Sequence, residues 1–259
     1  MRVDLNSDLG ESFGPWPMGD DPAMLDLVSS ANIACGFHGG DPLVILKACR
    51  LAQARGVSIG AHPGFLDLQG FGRRQILGVS SEEIESFVAY QIGAVQALAR
   101  MAGSTVTHVK IHGAMSNMAC EDDVMADAIA RAIHAVDPHL IFVVLPFSAL
   151  QRAGERAGLT LALELFADRA YEENGLLMSR KKLGSVIHDS VAAAANVLQM
   201  VHKQAVTTGS GKVMPVRVDT ICFHSDTPGA VAMARHVRGA LEAAGVRIEP
   251  FVTWLGKQA

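Results

Sequence analysis

The chain lacks the features that mark nucleic-acid-binding, membrane-spanning or secreted proteins. Its 22 basic residues are outnumbered by 26 acidic ones. No basic stripe is available to neutralise a phosphate backbone, so nucleic acid is not an expected partner. The longest apolar run, Leu140 to Phe147, contains Pro146 and falls far short of the roughly 20 residues that span a bilayer. The opening Met1-Arg2-Val3-Asp4 reaches an acid at once, without the apolar segment of a secretory signal. Cysteine is scarce: Cys35, Cys49, Cys120 and Cys222 form no Cys-x-x-Cys pair, which argues against a disulfide framework or a zinc knuckle. A reducing cytoplasm, away from membranes, is the expected setting.

Nucleotide motifs are missing too. A phosphate loop needs Gly-x4-Gly-Lys-Ser/Thr, so that backbone amides wrap a phosphate and a hydroxyl reaches the metal. Thr208-Gly209-Ser210-Gly211-Lys212 comes near it, but Val206 stands five residues before Gly211 and Val213 follows Lys212. This stretch reads as a surface turn. No Gly-x-Gly-x-x-Gly follows the first strand, which removes the main support for a Rossmann oxidoreductase. No nucleophile motif stands in a usable context, and there is no internal repeat.

What is present is alternation. The 259 residues, 49% of them hydrophobic, can bury one large core, and a single domain over 1–259 is expected. Strands are expected from Val3, at Ser30–Cys35, Val57–Ala61, Thr107–Ile111, Leu140–Leu145, Thr160–Leu165 and Val218–Phe223. Between them, helices are expected at Leu43–Ala54, from Ser80 to near Ala102, and at Asp122–Val136, Ser148–Ala157, Asp189–Lys203 and Pro228–Ala244. Asp41-Pro42 supplies an N-cap and first-turn proline, and Ser80 with Glu83 a capping box. Strands separated by helices imply βαβ units and a parallel sheet.

Asp4, Asn6 and Asp8 recur at a spacing of two and share one strand face, opposite Val3, Leu5 and Leu9. An open sheet would cover both faces with apolar helices; a polar inner face suits an α/β fold closed as a seven-stranded, TIM-like (β/α) barrel. Active sites in such barrels lie at the C-terminal strand ends. There the sequence places Asp8, His38, His62, Lys110, His112, Glu164 and His224. His134, His188, His202 and His236 read as solvated, and His108 and His139 as strand-boundary residues. Asp8, His38 and His62 could ligate a divalent cation, or the same residues could act as acids and bases, with Lys110 stabilising an oxyanion. The long loop His62–Gly78 carries Arg73 and Arg74, forks that bind carboxylates, or else a solvated charge pair. Asp168-Arg169, after Glu164, is either functional or a structural ion pair.

Seven segments, Asp4–Gly14, Ser30–His38, Gly60–Gly64, Leu68–Arg74, His108–Ala114, Phe166–Tyr171 and Asp219–Cys222, resemble the signature segments of the LamB/YcsF family in order. The resemblance covers essentially the whole chain. It implies a seven-stranded barrel related to the glycoside hydrolase/polysaccharide deacetylase superfamily. It also implies ATP-coupled hydrolysis of the lactam 5-oxo-L-proline to L-glutamate, in a complex with two further subunits, B and C. With no phosphate loop here, ATP is expected to be bound largely by those partners. On this reading Asp8, His38 and His62 position water or a metal-bound hydroxide, and Lys110 and His112 stabilise the oxyanion. Glu164 completes the catalytic set; Arg73 or Arg74 holds the substrate carboxylate, and Asn6, Glu11, Asp168, Arg169 and His224 also face the substrate. Ser7, Ile111, Ser116 and Ser225 depart from the pattern, where cysteine, proline, tyrosine and glycine are expected. A stand-alone metal-dependent deacetylase and a non-catalytic lactam-binding protein remain alternatives.

Overall fold

The computed structural model describes residues 1–179, 181–226 and 229–256. In chain order the elements are β1 (Arg2–Leu9), α1 (Asp21–Leu25), β2 (Ser30–Ala34), α2 (Pro42–Ala54), β3 (Ser58–His62), α3 (Ser81–Met101) and β4 (Val106–Lys110). There follow α4 (Gly113–Ala119), α5 (Asp123–Val136), β5 (Ile141–Val144), α6 (Ala149–Arg156), β6 (Leu161–Phe166) and α7 (Ser190–Lys203). The chain continues with β7 (Ala205–Thr207), β8 (Val213–Pro215), β9 (Thr220–His224), α8 (Ala230–Ala243), β10 (Arg247–Ile248) and α9 (Val252–Leu255).

Seven parallel strands, β1 to β6 and β9, form a closed barrel, because β9 pairs with β6 on one side and β1 on the other. The closing register runs from Asp4 opposite Thr220 to Asp8 opposite His224. The helix starts follow the expected chemistry. Asp41 accepts from the Leu43 and Val44 amides, and Ser80 and Glu83 form both halves of a capping box. Helices α3 and α5 lay apolar stripes, Ile84, Val88, Ile92 and Val95 in one and Ile129 and Ile133 in the other, over the outside of the sheet. Among the described residues no helix is long and apolar enough to cross a membrane.

Polar side chains of β1, β2, β4, β6 and β9 meet inside the barrel. Asp4, Asn6 and Asp8 point inward from β1 and meet side chains of β2, β4, β6 and β9. Phe251 and Leu255 pack at the lower end against Ile141, Val143 and Ala162, so among the described residues the site opens at the C-terminal strand ends. His108, expected at a strand boundary, is fully buried inside the barrel, against Phe251 and Asn32. Gly60 makes this fit: a Cβ there would lie 2.2 Å from the His108 ring.

Several elements depart from expectation. The turn at Gly209–Gly211 joins an antiparallel hairpin, β7–β8, rather than standing alone between helix and strand. Helices α1, α4 and α9 and the short β10, which pairs with the start of β1, are additions. Helix α8 runs from Ala230, and the expected Pro228 start lies outside the described residues.

Candidate active site

A cavity of about 590 Å³ opens at the barrel mouth. Asp8, His62, Lys110, His112 and Glu164 line its polar floor, with Glu11, Arg73, Arg169 and His224 around them. Two clusters of buried polar groups meet there.

The first centres on Lys110. Its ammonium lies 2.9 Å from Asp8 Oδ1, Glu164 Oε1 and Cys222 Sγ. Burial works against the charge on Lys110, but the Asp8 and Glu164 carboxylates, with Cys222 Sγ accepting a hydrogen bond, outweigh it and hold the lysine well above its ordinary pKa. Burial likewise opposes the charge on Asp8, yet His62 and Lys110 hold its carboxyl well below the usual range. The result is a fixed ammonium and a fixed carboxylate at neutral pH. Asn32 Nδ2 donates to Asp8 Oδ1 at 3.0 Å, and Ser225, standing where glycine was expected, donates its hydroxyl to the Asp8 carbonyl at 2.5 Å. Ser7, in place of the expected cysteine, ties the strand further by donating to Phe223 O. Burial pushes the Cys222 thiol well up, so it remains a thiol.

The second cluster is Glu11, His38, His62 and His112, all buried, with one ligand atom from each within 4.8 Å of the others. Two backbone carbonyls fix its tautomers. His62 Nδ1 lies 2.8 Å from Lys110 O, and His112 Nε2 lies 2.8 Å from Phe71 O. A carbonyl accepts, so both nitrogens donate, and the opposite ring nitrogens of the neutral imidazoles carry lone pairs. Those two lone-pair atoms, His62 Nε2 and His112 Nδ1, face each other at 3.0 Å. Burial, then neighbouring His62, lowers His112 to about 3, and burial with His112 lowers His38 well below its ordinary value; neither His112 nor His38 therefore supplies a second proton to the contact. Asp8 Oδ2 stands 3.4 Å from His62 Nε2 and Glu11 Oε1 3.7 Å from His112 Nδ1. Burial, followed by the Asp8 charge, pushes Glu11 well above the usual range. The buried Nδ1 of His38 has no hydrogen-bond partner.

Ring nitrogens thus face each other where a cation would relieve them, and His62 and His112 each donate the far N–H to a carbonyl, as metal-bound histidines do. The donor set fits a divalent cation. It differs from the expected Asp8, His38 and His62: Glu11 and His112 join, and Asp8 borders the set. A third grouping, Asp8, Cys222 and His224, also converges within 4.8 Å, but there the Lys110 ammonium already provides the positive charge.

The backbone is bent to build this cluster. Phe71 adopts φ +54° and Gly72 φ +63°, which turns Phe71 O onto His112. A Cβ on Gly72 would fall 2.7 Å from His38 Cβ and 2.8 Å from His112 Cδ2, so only glycine fits.

Four expected site residues do not line the cavity. Asn6 is sealed beneath the floor, where it donates to Glu164 Oε1 and Thr220 Oγ1. His38 is fully buried behind His112, the two rings stacked 3.6 Å apart. Arg74 turns away to Asp67. Asp168 pairs with His224 Nδ1 at 3.1 Å beside a smaller cavity of about 230 Å³. Arg73 does reach the main cavity, held 2.8 Å from Asp226, while Arg169 donates to Ser185 O and Met178 O and so braces the long connection after β6. Ile111 and Ser116, the departures near His112, both line the cavity. Sequence reasoning missed Asn32, Cys222 and Asp226. The first two follow the same two-residue spacing as Asp8, in Ser30/Asn32 and Thr220/Cys222/His224.

Residues 3–256 match the LamB/YcsF family. The chain is 61% identical over 249 residues to the A subunit of 5-oxoprolinase from Rhodopseudomonas palustris strain BisB18, covering 96% of this chain and 98% of that one. The crystal structure of the lactam utilization protein from Thermus thermophilus superposes with a TM-score of 0.92 at 49% identity, covering 96% of this chain and 99% of that chain. A putative cellobiose-phosphate cleavage protein from Enterococcus faecalis V583 shares the fold alone, with a TM-score of 0.58, 12% identity and 98% of each chain covered.

Proposed function

This chain belongs to the LamB/YcsF family, and from that premise we propose that it opens the lactam ring of 5-oxo-L-proline to give L-glutamate, as one component of a cytoplasmic hydrolase working with partners B and C. The observation that carries the reading is the meeting of a fixed ammonium, a fixed carboxylate and a cation-seeking histidine cluster in one cavity.

Hydrolysis must break amide resonance, deliver water to the carbonyl carbon and protonate the departing nitrogen. Asp8 Oδ1 is held by Lys110 and Asn32, which leaves Oδ2 to accept a proton from the attacking water and return it to the ring nitrogen. Lys110 turns the proton it shares with the weakly accepting Cys222 Sγ to the oxyanion as charge develops there. Glu164 and Asn6 keep the ammonium in place, and Arg73 exchanges Asp226 for the substrate carboxylate. A divalent cation held by Glu11, His38, His62 and His112 would polarise the carbonyl and acidify water. The absence of a phosphate loop agrees with ATP being bound and used chiefly through B and C.

The test is glutamate release from 5-oxo-L-proline with ATP, for this chain alone and with B and C, before and after chelation. Release is expected only from the full set, with loss on chelation and in Asp8→Ala and His62→Ala; near wild-type rates in both variants would sink the reading. A second reading, a stand-alone metal-dependent amidohydrolase, draws on the presence of all these groups in one chain. ATP-independent turnover of an amide by this chain alone would favour it.

A further inference from the structure

The barrel interior below the site is an ordered hydrogen-bond chain whose direction can be worked out proton by proton. At its lower end Asp4, fully buried, accepts hydroxyl protons from Ser29 at 2.6 Å, from Ser30 at 2.7 Å and from Thr220. A hydroxyl has one proton. Because Thr220 gives its proton to Asp4, it can only accept from Asn6, so the group 2.7 Å away is the Asn6 NH₂. The second NH₂ proton goes to Glu164 Oε1 at 3.0 Å. The Asn6 oxygen must then face the other way, accepting from Asn32 Nδ2 at 2.7 Å and, more weakly, from Lys110 Nζ at 3.4 Å. Asn32 continues the pattern: its other NH₂ proton reaches Asp8 Oδ1, and its oxygen accepts from His108 Nε2 at 3.1 Å.

Reversing the Asn6 amide would set NH₂ against the Lys110 ammonium and oxygen against the Glu164 carboxylate, two like-facing contacts in a dry interior. We propose that Asp4 is a positioning residue: acting through Thr220 and Asn6, it sets the direction of this chain and so orients Lys110 and Glu164 for the reaction. The assignment rests on Lys110 and Glu164 acting as described under the proposed function.

An isosteric change separates this role from simple packing. In Asp4→Asn the carboxylate that takes the Thr220 proton is lost; with the new NH₂ toward Thr220, the hydroxyl turns its proton toward Asn6 and drives the amide to reverse against the pull of Lys110 and Glu164. In the complex with B and C, Asp4→Asn and Thr220→Val are each expected to lower kcat roughly 10- to 100-fold, the usual range for partners one layer behind a site. KM should change little, since Asn6 does not line the cavity. Thr220→Ser, which keeps the hydroxyl, should restore kcat, and the double variant Asp4→Asn/Thr220→Val should be no worse than either single one. Wild-type kcat in a folded Asp4→Asn would overturn the inference, as would a Thr220→Ser as impaired as Thr220→Val, or losses that multiply in the double variant. A readout independent of turnover is neutron diffraction from deuterium-exchanged crystals of the full chain. The Asn6 ND₂ should point at Thr220 and Glu164 in the wild type and away from them in Asp4→Asn; an unchanged amide would overturn the inference. If the wild-type complex releases no glutamate, the proposed reaction fails, and the neutron maps decide this inference by themselves.

Discussion

The two buried clusters at the barrel mouth answer the same electrostatic problem in opposite ways. Around Lys110, acceptors from β1, β6 and β9 converge on a side-chain ammonium that the fold supplies itself. Around His62 and His112, facing ring nitrogens and the carboxyl groups of Asp8 and Glu11 converge, and among the described residues no ammonium stands between them. A covalently attached cation is fixed in place; a site built of acceptors alone can take up a cation that comes and goes with conditions. The protein thus sets a permanent positive charge beside a cluster suited to an exchangeable one, only a side chain apart, and Asp8 borders both.

The sharpest way to break this comparison is to remove the permanent charge. Lys110→Met leaves Asp8 and Glu164 buried and uncompensated, and urea unfolding should show a loss of about 3–5 kcal/mol. His112→Ala in chelated protein removes no charge and should cost clearly less. Equal losses would mean that the two clusters are held together in the same way.

Asp4, at the opposite end of the interior, sharpens the contrast because no ammonium faces it. Burial raises its pKa from 3.8 to about 6, against the hydroxyls of Ser29, Thr220 and Ser30 that lower it. A carboxyl raised in the folded state keeps its proton after the unfolded chain has lost it. The contribution of Asp4 to stability is therefore fully present below about pH 4 and is lost as pH rises through about 6, by roughly 3 kcal/mol. Stability of Asp4→Asn should lack this fall, so the wild-type-minus-variant difference should decline between about pH 4 and 6; a flat difference would place the titration elsewhere.

The smallest effect concerns the two arginines of the loop after β3. Arg73→Ala should raise KM for the lactam roughly tenfold, in line with loss of a charge-assisted bond of about 1.5–3 kcal/mol. Arg74→Ala, which removes only an ion pair with Asp67, should leave KM within about twofold. Equal KM values for the two variants would remove Arg73 from substrate binding.

Much of the barrel was legible because its signals are local. The capping chemistry of Asp41 and of Ser80 with Glu83 marked helix starts to within a residue, and the spacing of Asp4, Asn6 and Asp8 disclosed a polar interior. The hairpin β7–β8 was hidden because its three-residue strands carry Lys212 and Pro215 at or beside their ends, and α4 because it begins directly after a strand-end histidine. The site was legible as a list but not as an arrangement. Asp4 and Asp8 look alike in sequence, yet one lies at the sealed end and the other at the mouth. The facing lone pairs of His62 and His112 depend on carbonyls from Lys110 and Phe71, the latter presented by a left-handed backbone that sequence spacing does not reveal.

The central claim, that one cluster is built to take up a cation and the other contains its own, is tested most directly by calorimetric titration of Zn²⁺ into chelator-treated protein. One equivalent should bind per chain, binding should vanish in His62→Ala/His112→Ala, and Cys222→Ala should bind as the wild type does. No binding to the wild type, or binding that survives the double histidine change and disappears with Cys222, would contradict it.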